Sequence, residues 1–115
     1  MKFAPPKRTR RIVFVCRDPI GESLRHARGI KRLDGVRLFG ICEHSTHAEG
    51  ADVFADLICV ENTHDAGQLL EAARRLAGKH GSLDRIITTQ ETLLDAAARA
   101  GEELGLQGLT RAAVR

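Results

Sequence analysis

Four short apolar runs alternate with longer amphipathic segments along the chain. The runs lie at residues 11–16, 36–42, 55–61 and 83–88. They are largely continuous in apolar character rather than alternating with polar residues, which is typical of strands covered on both faces of a parallel sheet. The sequence therefore predicts four β-strands, with the intervening segments crossing from one strand to the next.

Three of the intervening segments carry apolar residues at the helical spacing of three or four. The first predicted helix begins near Ile20, and the second follows the capping residues at 62–65. The third spans about 91–104 and is followed by Gly105 as a C-cap glycine. Between the second and third strands the pattern is weaker, and residues 48–54 could form a short helix.

Strands that alternate with helices indicate right-handed crossovers onto a parallel sheet. We therefore predict an α/β fold, a three-layer Rossmann-like domain with a four-stranded parallel sheet in the order 3-2-1-4 and helices on both faces. Residues 1–10, which include Pro5 and Pro6, are predicted to form a flexible basic tail. The folded domain is predicted to span residues 11–115.

The net charge of +3 comes from the start of the chain. Five of the 18 basic residues and none of the 15 acidic residues lie in residues 1–11. Subtracting those five leaves 13 basic residues against 15 acidic ones, a net charge of −2 for the rest of the chain. A nucleic-acid-binding domain should carry positive charge on a folded face and aromatic side chains for stacking, and this chain has no Trp or Tyr. We therefore expect no nucleic-acid partner.

The chain also shows no membrane or export signal. No apolar run approaches the roughly 20 residues that a membrane-spanning helix needs. Pro5 and Pro6 occupy the position where a signal peptide would require an apolar stretch. The three cysteines, Cys16, Cys42 and Cys59, each lie in or at the end of an apolar run, which favours reduced and buried thiols. We therefore expect a cytoplasmic protein without membrane contact.

Ligands of open parallel sheets bind at the carboxyl ends of the strands, next to the point where the strand order reverses. In the order 3-2-1-4 this point lies between the first and fourth strands, so the loops at 17–23 and 88–92 should face one crevice. Glu43 and His44 follow the second strand at the same edge. The first loop has a single glycine, Gly21, and matches neither a dinucleotide fingerprint nor a Walker A loop. The loop at 17–23 is therefore interpreted either as a structural turn or as a ligand-binding loop.

Glu91 is a second candidate at this edge. It follows a buried strand and opens a helix, where the helix dipole favours a carboxylate. Thr88 and Glu91 also have the spacing of a capping box. Glu91 is therefore interpreted as a helix start, as a contact for a substrate amine, or as both.

Other chemistries find no matching pattern. The cluster of Cys42, Glu43 and His44 with His47 nearby does not have the spacing of a standard zinc site, so no metal site is expected. Residues 21–25 lack the final glycine of a serine-hydrolase elbow. The other histidines are interpreted as surface residues of helices or caps: His26, His64 and His80.

Several segments toward the C-terminus carry a resemblance to a known family. Residues 86–94 (IITTQETLL), 96–98 (AAA) and 104–109 (LGLQGL) resemble the end of the N-terminal domain of ATP-grasp ligases of the carboxylate–amine type. In that superfamily a strand often ends in a Thr-rich segment with a Glu, and a helix then leads to a Leu-Gly-Leu-Pro-Gly phrase. This chain has Gln107 where Pro is usual. The resemblance covers about residues 11–114.

The resemblance implies a role on the substrate side of a larger enzyme. Such enzymes use Mg-ATP to phosphorylate a carboxylate, and an amine or another nucleophile then attacks the acyl phosphate. The partners implied are the ATP-grasp lobes of a parent enzyme and a small carboxylate or amine substrate. By matching position, Glu91 would face a substrate amine, with Thr89 beside it. The turn that holds Arg17, Asp18 and Gly21 is the second substrate-binding candidate.

The nucleotide-binding lobes of that family lie in other domains. The positioned cations and metal carboxylates that phosphoryl transfer requires are not found in these 115 residues. We therefore expect no catalytic residue, no cofactor and no ATP hydrolysis in the isolated chain, with Mg-ATP belonging to the parent. The alternative is a stand-alone Rossmann-like binding or protein-interaction module without catalysis. An isolated domain should expose the face that its lobes cover, so self-association as a homodimer is a further hypothesis.

Overall fold

The computed structural model describes residues 9–43 and 52–106. In chain order the elements are β1 (Arg10–Val15), α1 (Gly21–Lys31), β2 (Val36–Cys42), β3 (Asp56–Cys59), α2 (Ala66–His80), β4 (Arg85–Ile87) and α3 (Leu94–Glu103), with a short 3-10 helix (Glu91–Leu93) leading into α3. The four predicted strands and three predicted helices are all present. β3 and β4 are shorter than their apolar runs, because each lies at an edge of the sheet and pairs with one neighbour only.

The strands form one parallel sheet in the order β3-β2-β1-β4. β1 aligns Ile12 with Leu38 of β2, and Phe14 with Ile87 of β4. This arrangement confirms the predicted fold class, including the strand order. β1 and β2 lie at the centre of the sheet, which agrees with their longest and most continuously buried apolar runs.

Helices cover both faces of the sheet. On one face, α1 packs Leu24 and Ala27 against a cluster that includes Phe14 of β1. On the other face, α2 and α3 pack against a cluster that includes Val13 and Val15. Because successive side chains of a strand point to opposite faces, the continuous apolar run of β1 supplies both cores.

Gly40 in β2 allows two apolar side chains to lie directly on the sheet. A Cβ atom at this position would lie 2.5 Å from Cδ1 of Leu57 and 2.9 Å from Cδ1 of Phe54. Both distances are shorter than non-bonded carbon atoms adopt, so any larger residue would displace these side chains. The glycine therefore sets how closely Phe54 and β3 pack against the centre of the sheet.

His80 lies at the end of α2 and is not the surface residue that the sequence predicted. Its side chain is 12% exposed, and its ring stacks on Phe39 with the ring centroids 4.6 Å apart. Nε2 of His80 donates a hydrogen bond of 2.8 Å to Oδ2 of Asp56 at the start of β3, and Nζ of Lys79 lies 3.3 Å from the same oxygen. The hydrogen bond from His80 is the largest of the effects that lower the pKa of Asp56. His26 and His64 are exposed, as predicted.

Several predictions fall on residues that the structure does not describe. The tail up to Arg8 and the possible helix start after residue 109 lie outside the described residues, as does most of the short helix predicted over 48–54. Within that last segment, Asp52 and Val53 form a turn rather than a helix. Among the described residues, no helix combines the length and the apolar character needed to cross a bilayer.

Candidate functional site

The carboxyl ends of β1 and β4 are adjacent, and the loops that follow them are joined by hydrogen bonds. The backbone N–H of Arg17 donates to Oε1 of Gln90 at 3.0 Å. Oγ1 of Thr88 donates to the carbonyl oxygen of Val15 at 2.7 Å and accepts from the backbone N–H of Gln90 at 3.2 Å. These bonds hold the two loops together beyond the last paired residues of the strands. The point where the strand order reverses is therefore a fixed edge of the domain.

An open cleft of about 330 Å³ lies over these two loops. Its lining is chemically mixed, with a guanidinium, two carboxylates, a hydroxyl, an amide and one apolar side chain that is 41% exposed. The lining residues are Arg17, Asp18, Ile20, Glu22, Ser23 and Gln90. A surface of this composition can hold a small molecule that carries both a positive and a negative group.

The turn between β1 and α1 is shaped by its backbone. Pro19 is fully buried, and the backbone N–H of Ile20 donates to the carbonyl oxygen of Asp18 at 2.9 Å. Gly21 begins α1 with a φ of +55°, a conformation that glycine adopts without the strain of a Cβ atom. Gly21 thus allows the chain to turn into α1 between Ile20 and Glu22, whose side chains line the cleft.

Glu43 connects a third loop to this edge. Its side chain is 12% exposed, and Oε2 accepts hydrogen bonds from the backbone N–H of Thr63 at 2.9 Å and from its hydroxyl at 2.7 Å. Oε1 lies 3.5 Å from Nε of Arg17, and the backbone N–H of Glu43 donates to the carbonyl oxygen of Arg17 at 2.9 Å. The loops after β1, β2 and β3 are therefore connected through one carboxylate.

These contacts set the charge state of Glu43. The backbone N–H of Thr63 and then its hydroxyl lower the pKa of the carboxyl, and the positive charge of Arg17 adds a smaller effect in the same direction. Partial burial opposes them and does not outweigh them. Glu43 is therefore ionised at neutral pH and acts as an anionic acceptor between the loops.

The structure brings some of the predicted substrate-binding residues together and leaves others apart. Arg17 and Asp18 both line the cleft. Gly21 contributes backbone conformation, as described above. Thr89 and Glu91 are exposed and are not among the residues that line the cleft, although they follow Thr88 and Gln90 along the same edge.

The capping box predicted for Thr88 and Glu91 does not form. The residue before the 3-10 helix is Gln90, and its side chain makes no capping hydrogen bond. Oγ1 of Thr88 is instead engaged with Val15 and with the N–H of Gln90. The helix begins after Gln90, and Oγ1 of Thr88 accepts from the N–H of Gln90 only two residues on, so Thr88 does not occupy the N-cap position that the spacing indicated.

Sequence reasoning left several residues of this edge out of the predicted site, including three whose hydrogen bonds join its loops. Glu43 was placed at this edge but not chosen as a site residue, although it meets the criterion that selected Glu91, since it is also a carboxylate directly after a buried strand. Thr63 was assigned to helix capping, but Asp65 makes the cap by accepting from the backbone N–H of Gly67 at 2.9 Å. Gln90 carries no local signal beyond its place after β4.

The thiols near this edge differ in exposure. Cys16 and Cys42 are buried as predicted, whereas Cys59 is exposed because it ends the edge strand β3. Burial, and secondarily the charge of Asp18, raises the pKa of Cys16 to about 12, so this thiol stays protonated at neutral pH. Among residues 9–43 and 52–106, no group of three or more His, Cys, Asp or Glu side chains is placed to hold a metal ion. His44 and His47 lie outside the described residues.

The fold and the cleft define a class of protein, a Rossmann-like α/β domain whose loops meet at the switch point of a four-stranded parallel sheet. Comparison with solved structures shows the same fold in an L-amino acid ligase from Bacillus licheniformis, with a TM-score of 0.69 over 91% of this chain and 20% sequence identity. The chain matches 26% of that ligase and so spans about a quarter of its length. No family model and no curated protein matches the sequence. The likeness establishes the fold, and this is the fold that the resemblance to ATP-grasp ligases implied.

Proposed function

We propose that this chain is the substrate-side domain of an ATP-dependent ligase that joins a carboxylate to an amine, and that it is not catalytic alone. The observation that carries the proposal is the fold shared with an L-amino acid ligase over 91% of the chain. The segment at 86–109 adds independent support, because its order of Thr-rich turn, Ala-rich helix and Leu-Gly-Leu phrase resembles ATP-grasp ligases. The remaining three-quarters of such an enzyme would supply the ATP-grasp lobes and the Mg-ATP site.

In this proposal the cleft over the loops after β1 and β4 holds a small substrate. The guanidinium of Arg17, whose side chain is 57% exposed, offers planar donors for a carboxylate. The carboxylates of Asp18 and Glu22 offer acceptors for an ammonium group, and Glu91 adds a further negative charge along the same edge. This pairing of charges suits an α-amino acid, which carries both groups on neighbouring carbons.

The contribution of this chain to the reaction is positioning. When Mg-ATP has phosphorylated the carboxylate, the amine nitrogen attacks the acyl carbon and inorganic phosphate leaves. Residues that hold the substrate in a fixed orientation raise its effective concentration at the reacting atoms. The connection from Glu43 to Arg17 and Thr63 serves this role by fixing the three loops relative to one another.

The proposal is tested by titrating the ¹⁵N-labelled chain with L-amino acids and, separately, with Mg-ATP. Saturable shifts are expected for the amides of residues 17–23 and Gln90 with amino acids, and none with Mg-ATP. A hydrogen bond to a charged group contributes about 1.5–3 kcal/mol, so Asp18→Asn and Arg17→Gln should each weaken binding roughly 10- to 100-fold. Arg75→Gln is the matched control, because Arg75 is an exposed arginine of α2 that lines a different cavity, beside β3.

Two results would contradict the proposal. Tight binding of Mg-ATP to the isolated chain would assign the domain to the nucleotide rather than to the substrate. The absence of any saturable shift across carboxylates, amines and amino acids would favour the alternative of a protein-interaction module without a small-molecule site.

A further inference from the structure

Cys42 and Cys59 lie side by side at the carboxyl ends of β2 and β3. Their Sγ atoms are 3.8 Å apart, and the two residues are paired in the register of the sheet. Neighbouring strands are about 4.8 Å apart, which falls inside the range of roughly 4.4–6.8 Å that separates the Cα atoms of a disulfide. Paired residues of parallel strands point to the same face. A bond between the two sulfur atoms therefore needs side-chain rotation and no rearrangement of the sheet.

The two thiols differ in access to solvent. Cys59 is exposed, whereas Cys42 is fully buried in the cluster beneath α1. Disulfide formation through a sulfenic acid has two geometric requirements: one sulfur that the oxidant can reach, and a second sulfur close enough to displace the oxidised oxygen. Cys59 and Cys42 meet these two requirements. Cys16 does not meet the first, because it is 1% exposed.

We propose that Cys42 and Cys59 form a reversible intramolecular disulfide when the protein meets hydrogen peroxide. The sulfur of Cys59 attacks one peroxide oxygen as the thiolate, and the O–O bond breaks. Cys59 becomes a sulfenic acid, and the proton that its thiol gave up joins the departing hydroxide as one water molecule. The sulfur of Cys42 then attacks the sulfur of Cys59, the S–O bond breaks, and a second water molecule leaves. With hydrogen peroxide, two thiols give up two electrons and two protons, and the peroxide is reduced to two water molecules. Two molecules of a small thiol restore both cysteines: the first forms a mixed disulfide and frees one cysteine, and the second frees the other and leaves as the small-molecule disulfide.

The disulfide would lie next to the edge that carries the cleft. Cys42 directly precedes Glu43, whose carboxylate connects Thr63 and Arg17. The backbone N–H of Val60, the residue after Cys59, donates to the carbonyl oxygen of Cys42 at 2.8 Å. Oxidation is therefore expected to shift the amide signals of Glu43 and Thr63. The inference rests on the two thiols alone and does not depend on the proposed ligase role.

The experiment treats the chain with hydrogen peroxide at neutral pH, blocks the remaining thiols by alkylation and digests the protein without reduction. Trypsin leaves both cysteines in one peptide, because no Lys or Arg lies between Arg37 and Arg74. A glutamate-specific protease separates them, since Glu43 and Glu49 lie between the two cysteines. The expected product is a linked peptide pair that has lost two hydrogen atoms, found in monomeric protein and removed by dithiothreitol.

Three variants assign the roles of the sulfur atoms. Cys42→Ala should leave a sulfenic acid on Cys59 that dimedone traps, and Cys59→Ser should leave Cys42 reduced. Cys16→Ala is the matched control and should oxidise as the wild type does. The proposal is overturned if the wild type gives a disulfide between two chains, a disulfide that involves Cys16, or a sulfinic acid at Cys59. It is also overturned if both thiols of the wild type stay reduced at a peroxide concentration that oxidises Cys59 in Cys42→Ala.

Discussion

Replacement of Glu43 by alanine should destabilise the domain more than an alanine substitution at the end of a strand ordinarily does. Its carboxylate is the acceptor for two hydrogen bonds from Thr63, a residue with no exposed surface. In the variant, the backbone N–H and the hydroxyl of Thr63 both lose their acceptor. Arg17 loses an ion pair, but its side chain is 57% exposed and can be solvated.

The size of the effect follows from these contacts. A buried donor left without an acceptor costs about 1–3 kcal/mol, and an exposed ion pair contributes about 0–1 kcal/mol. Glu43 itself is 12% exposed, so water can reach part of the space that alanine leaves. We therefore expect Glu43→Ala to lower the free energy of unfolding by about 2–4 kcal/mol, less than the sum of the separate losses.

The assay is urea unfolding followed by far-ultraviolet circular dichroism, because the chain has no Trp or Tyr to report by fluorescence. Glu61→Ala is the matched control, since Glu61 is an exposed carboxylate two residues before Thr63. It should change the free energy of unfolding by no more than about 0.5 kcal/mol. A double-mutant cycle with Thr63→Val isolates the bond to the hydroxyl, with an expected coupling of about 1–2 kcal/mol.

The pH dependence provides a second readout. Because the pKa of Glu43 in the folded protein lies below its ordinary value of 4.5, its ionised form stabilises the fold. That contribution is complete above the ordinary value and disappears as the pH falls through the lower, folded value. The difference between wild type and Glu43→Ala should therefore be largest near neutral pH and shrink in acid. Equal losses of unfolding free energy in Glu43→Ala and Glu61→Ala, or a difference that does not change with pH, would show that Glu43 does not stabilise the fold through Thr63.

Further predictions concern packing and the end of α2. Gly40→Ala should lower the free energy of unfolding by about 1–3 kcal/mol, because the added Cβ overpacks the sheet. At Gly78 an added Cβ meets no atom within 4 Å, so Gly78→Ala should stabilise α2 by about 0.5–1 kcal/mol. Thermal unfolding would contradict this if both variants shifted the midpoint in the same direction. His80→Ala should cost about 1–3 kcal/mol through the lost bond to Asp56, and His64→Ala should be near neutral. The pKa of Asp56 is lowered chiefly by His80, so the loss of unfolding free energy in His80→Ala should diminish as the pH falls through the pKa of Asp56 in the folded protein. A loss that stays constant with pH in urea titrations would contradict this prediction.

The four strands and three helices of this protein could be predicted from local patterns in the sequence. Continuous apolar runs such as residues 11–16 and 36–42 specify strands buried on both faces, and this pattern is local to each segment. Parallel strands with helical crossovers then leave few topologies, because such connections are right-handed. The commonest of these orders, 3-2-1-4, is the one observed, and it places the loop of Asp18 beside the loop after β4.

Which side chains meet at that edge, and how deeply each is buried, depends on the packing of elements that lie far apart in the sequence. Glu43 accepts from Thr63 twenty residues away, and the hydroxyl of Thr88 donates to Val15 of the neighbouring strand, 73 residues away. Cys59 is exposed because β3 ends the sheet, although its apolar run predicted burial. A local pattern specifies the conformation of a segment and the face it buries. It does not specify the distances between atoms on separate elements, which depend on how the finished strands and helices pack together.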